Sequence, residues 1–291
     1  MSGWPPEDGA TLVEAMPEEE YHAHPALSAS GMKQLLRSPL HYQQSRAVRV
    51  EKPAFDVGHA AHSLVLGVGK EPVEIPENLL TTRADGVVVI ASAKAKEWRD
   101  NAYAEGKVPL KPKTYAEVIG MRDAILANPK ARALLELPRM TEVSLFALDP
   151  ETGVPLRGRL DILAGAKCGD VKTTSDVRTF KLRSVIYEYG YDVQGEVYRL
   201  LTQLVLGVDP EPVELIFVEK AAPYEVRVVR LGEGWQVGGY ARMRTAIDIF
   251  QSCIEFDVWP GDDYEDGPVE EIEPPAYYLS DVDRLTGAGV L

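Results

Sequence analysis

A chain of 291 residues with 45% hydrophobic and 26% charged side chains has an ordinary soluble, globular composition, long enough for one large domain or two small ones; collagen-like, disordered and membrane classes are excluded. Its two cysteines, Cys168 and Cys253, rule out a disulfide scaffold and a four-cysteine zinc or iron–sulfur site, and both read as reduced core residues. The net charge of -14 runs against a nucleic-acid partner, but much of the acid sits in Glu18 to Glu20 and in Asp262, Asp263, Glu265, Asp266, Glu270, Glu271 and Glu273, which leaves room for a locally basic groove.

Residues 1–20 read as a flexible lead-in. Their acidic character is not that of a signal peptide, and no run approaches the roughly 18 apolar residues of a membrane span, so the expected home is the cytoplasm, away from membranes. In LSASGMKQLLRSPLHY, Ser28 or Ser30 is placed to cap a short helix that Pro39 ends. FDVGHAAHSLVL, residues 55–66, has the spacing of a second, buried helix, and helices are expected over 91–105 and 115–126, with 81–85 a loop.

From Thr141 the texture becomes β-rich: TEVSLFAL, VPLRGRLDILA and KCGDVKTT predict three adjacent strands. Residues 180–206 predict one amphipathic helix ending near Gly207, VELIFVEK and YEVRVVRL two more strands, and 235–256 a final helix. The tail from Pro260 reads as surface-tracking or disordered. The order fits an α/β or α+β core with a mixed sheet flanked by helices, one domain over 21–260 between the lead-in and an acidic tail at 261–291.

Asp161 lies on one predicted strand, and Asp170 and Lys172 two apart on the next, hence on one face. A hairpin through Leu163 to Gly169 would bring the two carboxylates and the ammonium together. Aspartates bind hard divalent cations while leaving room for a phosphate and a water. The lysine could orient that water, act as base or offset transition-state charge, and the sequence does not choose. By itself D-x-K on a strand is far more often a surface ion pair. Its company matters: Glu142 on the preceding strand, Gln194 and Tyr198 four apart on a helix, and Gly58 and His62 upstream, with His59 a competitor for His62.

In that order GHAAH, Glu142, GRLD, GDVKTT and QGEVY resemble the PD-(D/E)xK nuclease superfamily in its RecB-like version. The first-helix segment, VGHAAHSLVL, YGYDVQGEVYRL and FVEKAAPYEVRVVRL extend the likeness to the RecE-type exodeoxyribonuclease VIII family of phages and prophages, over roughly residues 21–260. The resemblance implies a restriction-endonuclease-like core and a Mg²⁺ or Mn²⁺ site. Asp161 and Asp170 would be metal ligands, His62 a metal or active-site residue, Lys172 the catalytic lysine and Glu142 a further acidic participant, with Gln194 and Tyr198 contacting DNA or organising the site. Asp170 stands where many members have Glu, and Leu160 where the name-giving proline would be.

The family further implies 5′ to 3′ degradation of linear duplex ends, 3′ overhangs for a single-strand annealing protein, and a ring-shaped homo-oligomer. Arg157, Arg159, Arg178, Lys181 and Arg183 surround the expected site in sequence and read as its basic groove, or as a solvated face. The rivals are a Cas4-like or standalone RecB-like endonuclease without an iron–sulfur cluster, and an inactive DNA-binding relative.

Overall fold

The computed structural model describes residues 9–47, 57–261 and 269–286. Strand β1 (Ala10–Val13) and helix α1 (Glu18–Ala23) come first, so the described part of the expected lead-in is ordered structure. The two-residue β2 (Leu27–Ser28) runs into α2 (Ala29–Arg37), which Ser28 caps by accepting the Gly31 amide at 3.3 Å. Pro39 ends nothing by itself: Ser38 breaks the helix and Pro39 opens α3 (Pro39–Ala47), where a missing N–H costs little.

After α4 (Val57–Leu66) comes a satellite layer: β3 (Pro72–Glu74), the two-residue β4 (Thr81–Thr82) and β5 (Val88–Val89), α5 (Ala93–Ala104), β6 (Val108–Leu110), α6 (Pro112–Ala127) and α7 (Pro129–Leu135). The loop expected at 81–85 thus begins as a small hairpin, Thr81 pairing with Val89. β7 (Met140–Leu148), β8 (Pro155–Ala164) and β9 (Lys167–Thr174) are the three expected strands. The single helix expected next is two, α8 (Thr179–Tyr189) and α9 (Tyr191–Leu206), because Gly190 takes φ 66°, a left-handed conformation that ends one helix and turns into the next. β10 (Glu214–Glu219), β11 (Val226–Arg230) and α10 (Glu233–Phe256) follow as expected. The tail holds an unexpected helix, α11 (Ala276–Thr286), none of whose residues is buried; the acidic run from Asp262 to Asp266 lies outside the described residues.

The central sheet has the order β1-β7-β8-β9-β10-β11, with β2 also on β8. Its pairs are antiparallel except β9 with β10 and β2 with β8, so α8 and α9 form the crossover that returns the chain from β9 to β10. Apolar residues on both faces of the strands require two covering layers. α2, α9 and α10 pack Met32, Val197, Leu201 and Ile247 against Leu145, Leu156 and Phe217 on one face. α4, α6 and α7 pack Ala61, Met121 and Leu134 against Ile162, Val171 and Ile216 on the other. Cys168 and Cys253 are buried free thiols.

The sheet is forked. β9 pairs with β8 only at Ile162–Ala164, and β2 takes over the same edge at Leu156 and Arg157. Asp161 and Asp170 would be the next β8–β9 pair, and that is where the strands part.

Candidate active site

Three strands converge on the fork. On β7, Glu142 sits between the ladder pairs Thr141–Ile162 and Val143–Leu160, opposite Asp161, yet it is itself out of the ladder with φ at 51°. A side-chain-bearing residue adopts that conformation only when its surroundings impose it, and such strain gathers at functional sites. The alternation of β8 breaks at the same level: Leu160 and Leu163 both enter the α9-side core, while Ile162 enters the other. The local twist lets Asp161 turn toward α4. Its Oδ2 accepts the Val171 amide at 2.7 Å, replacing a ladder bond that the parting strands no longer make.

On the α4 side, His62 lies between two carboxylates, with Nδ1 3.1 Å from Glu142 Oε1 and Nε2 2.6 Å from Asp161 Oδ2. Burial pulls the imidazole toward neutrality, but the charge and hydrogen bond of Asp161, with Glu142 and Asp170 behind them, hold its pKa up to about 9. Burial works against Asp161 ionising too. The His62 charge and hydrogen bond, Lys172 and the Val171 amide outweigh it and keep the carboxyl below its usual range. Glu142 is pushed up, first by burial and then by Asp161. The side chain of the competing His59 lies outside what the structure describes.

On the α9 side, Asp170 is buried and forms a close ion pair with Lys172. Its Oδ1 meets the Gln194 amide and the Tyr198 hydroxyl, each at 3.3 Å. Gln194 donates to Tyr198 at 2.7 Å, and Tyr198 donates to the Arg159 carbonyl. The approach of α9 depends on Gly158: a Cβ there would lie 2.9 Å from Leu201 and 3.2 Å from the Tyr198 ring. Burial, and then the charge of Asp161, push Asp170 up to about 6. Lys172 is also desolvated, yet Asp170 and Asp161 keep its ammonium above the ordinary lysine value, and it packs 4.6 Å over the Tyr191 ring. Tyr191 has no assigned role in the sequence reading; its signal was spacing, since 191, 194 and 198 share one helix face.

His62, Glu142 and Asp161 therefore each offer a ligand atom within 4.8 Å of the others. One imidazole and two carboxylates suit a divalent cation with open positions. Asp170 stands just behind this triad, engaged by Lys172, Gln194 and Tyr198. The five basic residues fall into two groups. Arg157 and Arg159 stack over Tyr21 at 4.6 and 4.3 Å, Arg157 being buried rather than on a solvated face. Arg178 and Lys181 flank the exposed Phe180, with Arg178 paired to Asp176, and Arg183 is exposed on α8.

Comparison with known proteins agrees with this architecture. A solved structure from Eubacterium rectale named "Putative exonuclease" aligns with a TM-score of 0.58 at 13% identity, over 96% of this chain and 100% of that one; at that identity the likeness is one of fold. A phage-related exonuclease from Haemophilus somnus 129PT is 14% identical over 68% of this chain and 95% of that one, with a TM-score of 0.29, too low to bear on the assignment. No curated protein matches in sequence. Residues 28–266 match the family described as a PDDEXK-like domain of unknown function, DUF3799, a span that runs from the cap of α2 past the end of α10 and contains every site residue named above. The chain thus belongs to this PDDEXK-like family, and its helix-flanked mixed sheet is a restriction-endonuclease-like core.

Proposed function

We propose that the protein is a divalent-metal-dependent exodeoxyribonuclease that degrades linear duplex DNA from its ends. One observation carries the reading: the donor set of His62, Glu142 and Asp161 stands directly beside the Asp170–Lys172 ion pair at an open fork of the sheet. The donors are right for Mg²⁺ or Mn²⁺, the imidazole leaning toward the latter. A cation bound there would polarise the scissile phosphate and lower the pKa of an attacking water. Among the residues, Lys172, held beside Asp170, is placed to offer its ammonium to a phosphate oxygen. Gln194 and Tyr198 fix the Asp170 carboxylate that orients Lys172. A 5′ to 3′ direction, 3′ overhangs handed to an annealing protein, and a ring-shaped homo-oligomer are supported by the sequence resemblance to RecE-type exonucleases.

The test is to incubate purified protein with linear duplexes labelled at the 5′ or 3′ end, and with a circular duplex, in Mg²⁺, Mn²⁺ or chelator. Loss of label from linear DNA alone, from the 5′ end first and only with metal, is expected. Asp170→Ala and Lys172→Ala should each lower the rate by at least about a hundredfold, as removal of a single electrostatic group in such sites does. Undiminished activity in Asp170→Ala would overturn the site assignment, and cleavage of the circle would make the enzyme an endonuclease.

A further inference from the structure

A polar cavity of about 160 Å³ opens beside the N-terminus of α2 and is lined by Ser28, Ser30, Gln34, Ser45, Arg46 and Arg157, among others. Arg157 is only 5% exposed, and its Nε and Nη1 are buried without a hydrogen-bond partner. A guanidinium normally enters a protein interior with a carboxylate, because desolvating an unpaired charge is costly. Here the neighbours are of the same sign. Arg159 shares the Tyr21 ring with it, Arg46 shares the cavity, and among the described residues none of the three makes a salt bridge with an acidic side chain. Arg46 is held by the His24 carbonyl at 3.3 Å, Arg159 by Ser144 and the Met16 carbonyl. In a chain with 45 acidic and 31 basic residues, Arg157 thus has no carboxylate partner among the described residues, and its charged neighbours are Arg46 and Arg159; an anion from solution would satisfy it.

The rest of the cavity has matching chemistry. Ser28 and Ser30 lie 3.0 Å apart at the first turn of α2, where free amide groups and the helix dipole favour negative charge. Ser45 reaches in from α3. The cavity is well below the roughly 300 Å³ at which pockets begin to hold whole small molecules, so it takes a compact tetrahedral oxyanion and not a base or sugar. Arg157 also lies on β8, the strand that carries Asp161; four residues at roughly 3.3 Å each put the two about 13 Å apart along the strand.

We propose that this cavity is a phosphate-binding subsite in which Arg157, Arg46 and the α2 serines hold a phosphate of the same DNA strand, a few nucleotides from the scissile bond. The use by DNA rests on the exonuclease reading above, whereas phosphate binding does not.

Two measurements separate them. In the metal-free full-length protein with chelator, the arginine Nε–H signals are followed by NMR during titration with inorganic phosphate, with Arg157 and Arg46 identified from Arg157→Gln and Arg46→Gln. The Arg157 signal should shift saturably, and Arg46→Gln, a change at an exposed residue, should raise the midpoint on the order of tenfold, the scale of one charge-assisted hydrogen bond. No saturable shift would overturn the subsite. KM of Arg46→Gln is then compared on linear duplexes ending in 5′-phosphate or 5′-hydroxyl. A rise confined to the phosphorylated end makes the ligand a terminal phosphate, and an equal rise on both makes it an internal one. A saturable NMR shift with KM unchanged on both would overturn the use of the cavity by DNA while keeping the anion site.

Discussion

On the α9 side of the candidate site, Asp170 is 2% exposed and its hydrogen-bond and ion-pair partners are themselves anchored: Gln194 to Tyr198, Tyr198 to the β8 backbone, Lys172 to the Tyr191 ring. On the α4 side, the side chains of His62 and Glu142 are 20% and 28% exposed, Glu142 sits in a strained backbone conformation, and the imidazole holds both carboxylates, with one backbone amide added at Asp161. Asp161 joins the halves. The difference is one of exchangeability: donors that must trade a proton or a neighbour for a metal need access and loose partners, while the groups that aim them need a closed network.

Lys172 is the anchor of the dry side. Removing the cation from the dry side in Lys172→Ala leaves a buried carboxylate unpaired, so urea unfolding should show a loss of about 3 kcal/mol, the lower range for breaking a buried ion pair. His62→Gln should act on metal binding instead. Divalent-metal affinity by calorimetry should fall at least about tenfold, the scale of losing one metal-site residue, with a smaller change in stability than Lys172→Ala produces.

The open side should also answer to pH. His62 has a folded pKa raised to about 9 above its ordinary 6.5, so the metal-free protein carries this stabilisation in full below about 6.5 and loses it as pH rises through about 9. Denaturation midpoints without metal should decline over that window and flatten in His62→Gln. Equal slopes in the two proteins would remove His62 as the cause. Over the same window, metal affinity should climb as the proton that the metal must displace becomes easier to lose.

Tyr198→Phe keeps the ring against Gly158 and removes only the hydroxyl between Asp170 and the Arg159 carbonyl. A stability loss of about 1 kcal/mol should come with a fall in turnover and little change in metal affinity; a large affinity loss would show that the two halves are not separable. The smallest effect is expected far from both. Asn128 caps α7 by accepting the Lys130 and Ala131 amides at 3.0 and 3.1 Å, and Asn128→Ala should cost about 1 kcal/mol with activity and metal affinity unaltered.

Much of this was legible in residue order. Strands β7 to β9, β10 and β11, helices α2, α4 and α10, and Ser28 as a cap follow from periodicity and capping chemistry, which are local. The short edge strand β1 was missed because ATLV is too brief to show a period and takes its place only by pairing with β7. The α8–α9 break was missed because a glycine inside an amphipathic pattern does not disclose the sign of its φ. The cap of α7 is readable in Asn128 followed by Pro129, a helix-start signal.

For the site, the sequence by itself singled out the candidate residues: Asp161, Asp170 and Lys172 share a strand pair, and the pattern from His62 to Tyr198 resembles one nuclease superfamily. Only the tertiary structure decided how they divide. That His62 and Glu142 meet at Asp161, that Asp170 retires behind Lys172 and Tyr198, and that Arg157 is buried beside Ser28 all depend on a forked sheet edge, where β9 and β2 share one side of β8. Side-chain period along a strand is a local property, but the level at which two strands part is set by the layers packed above and below them.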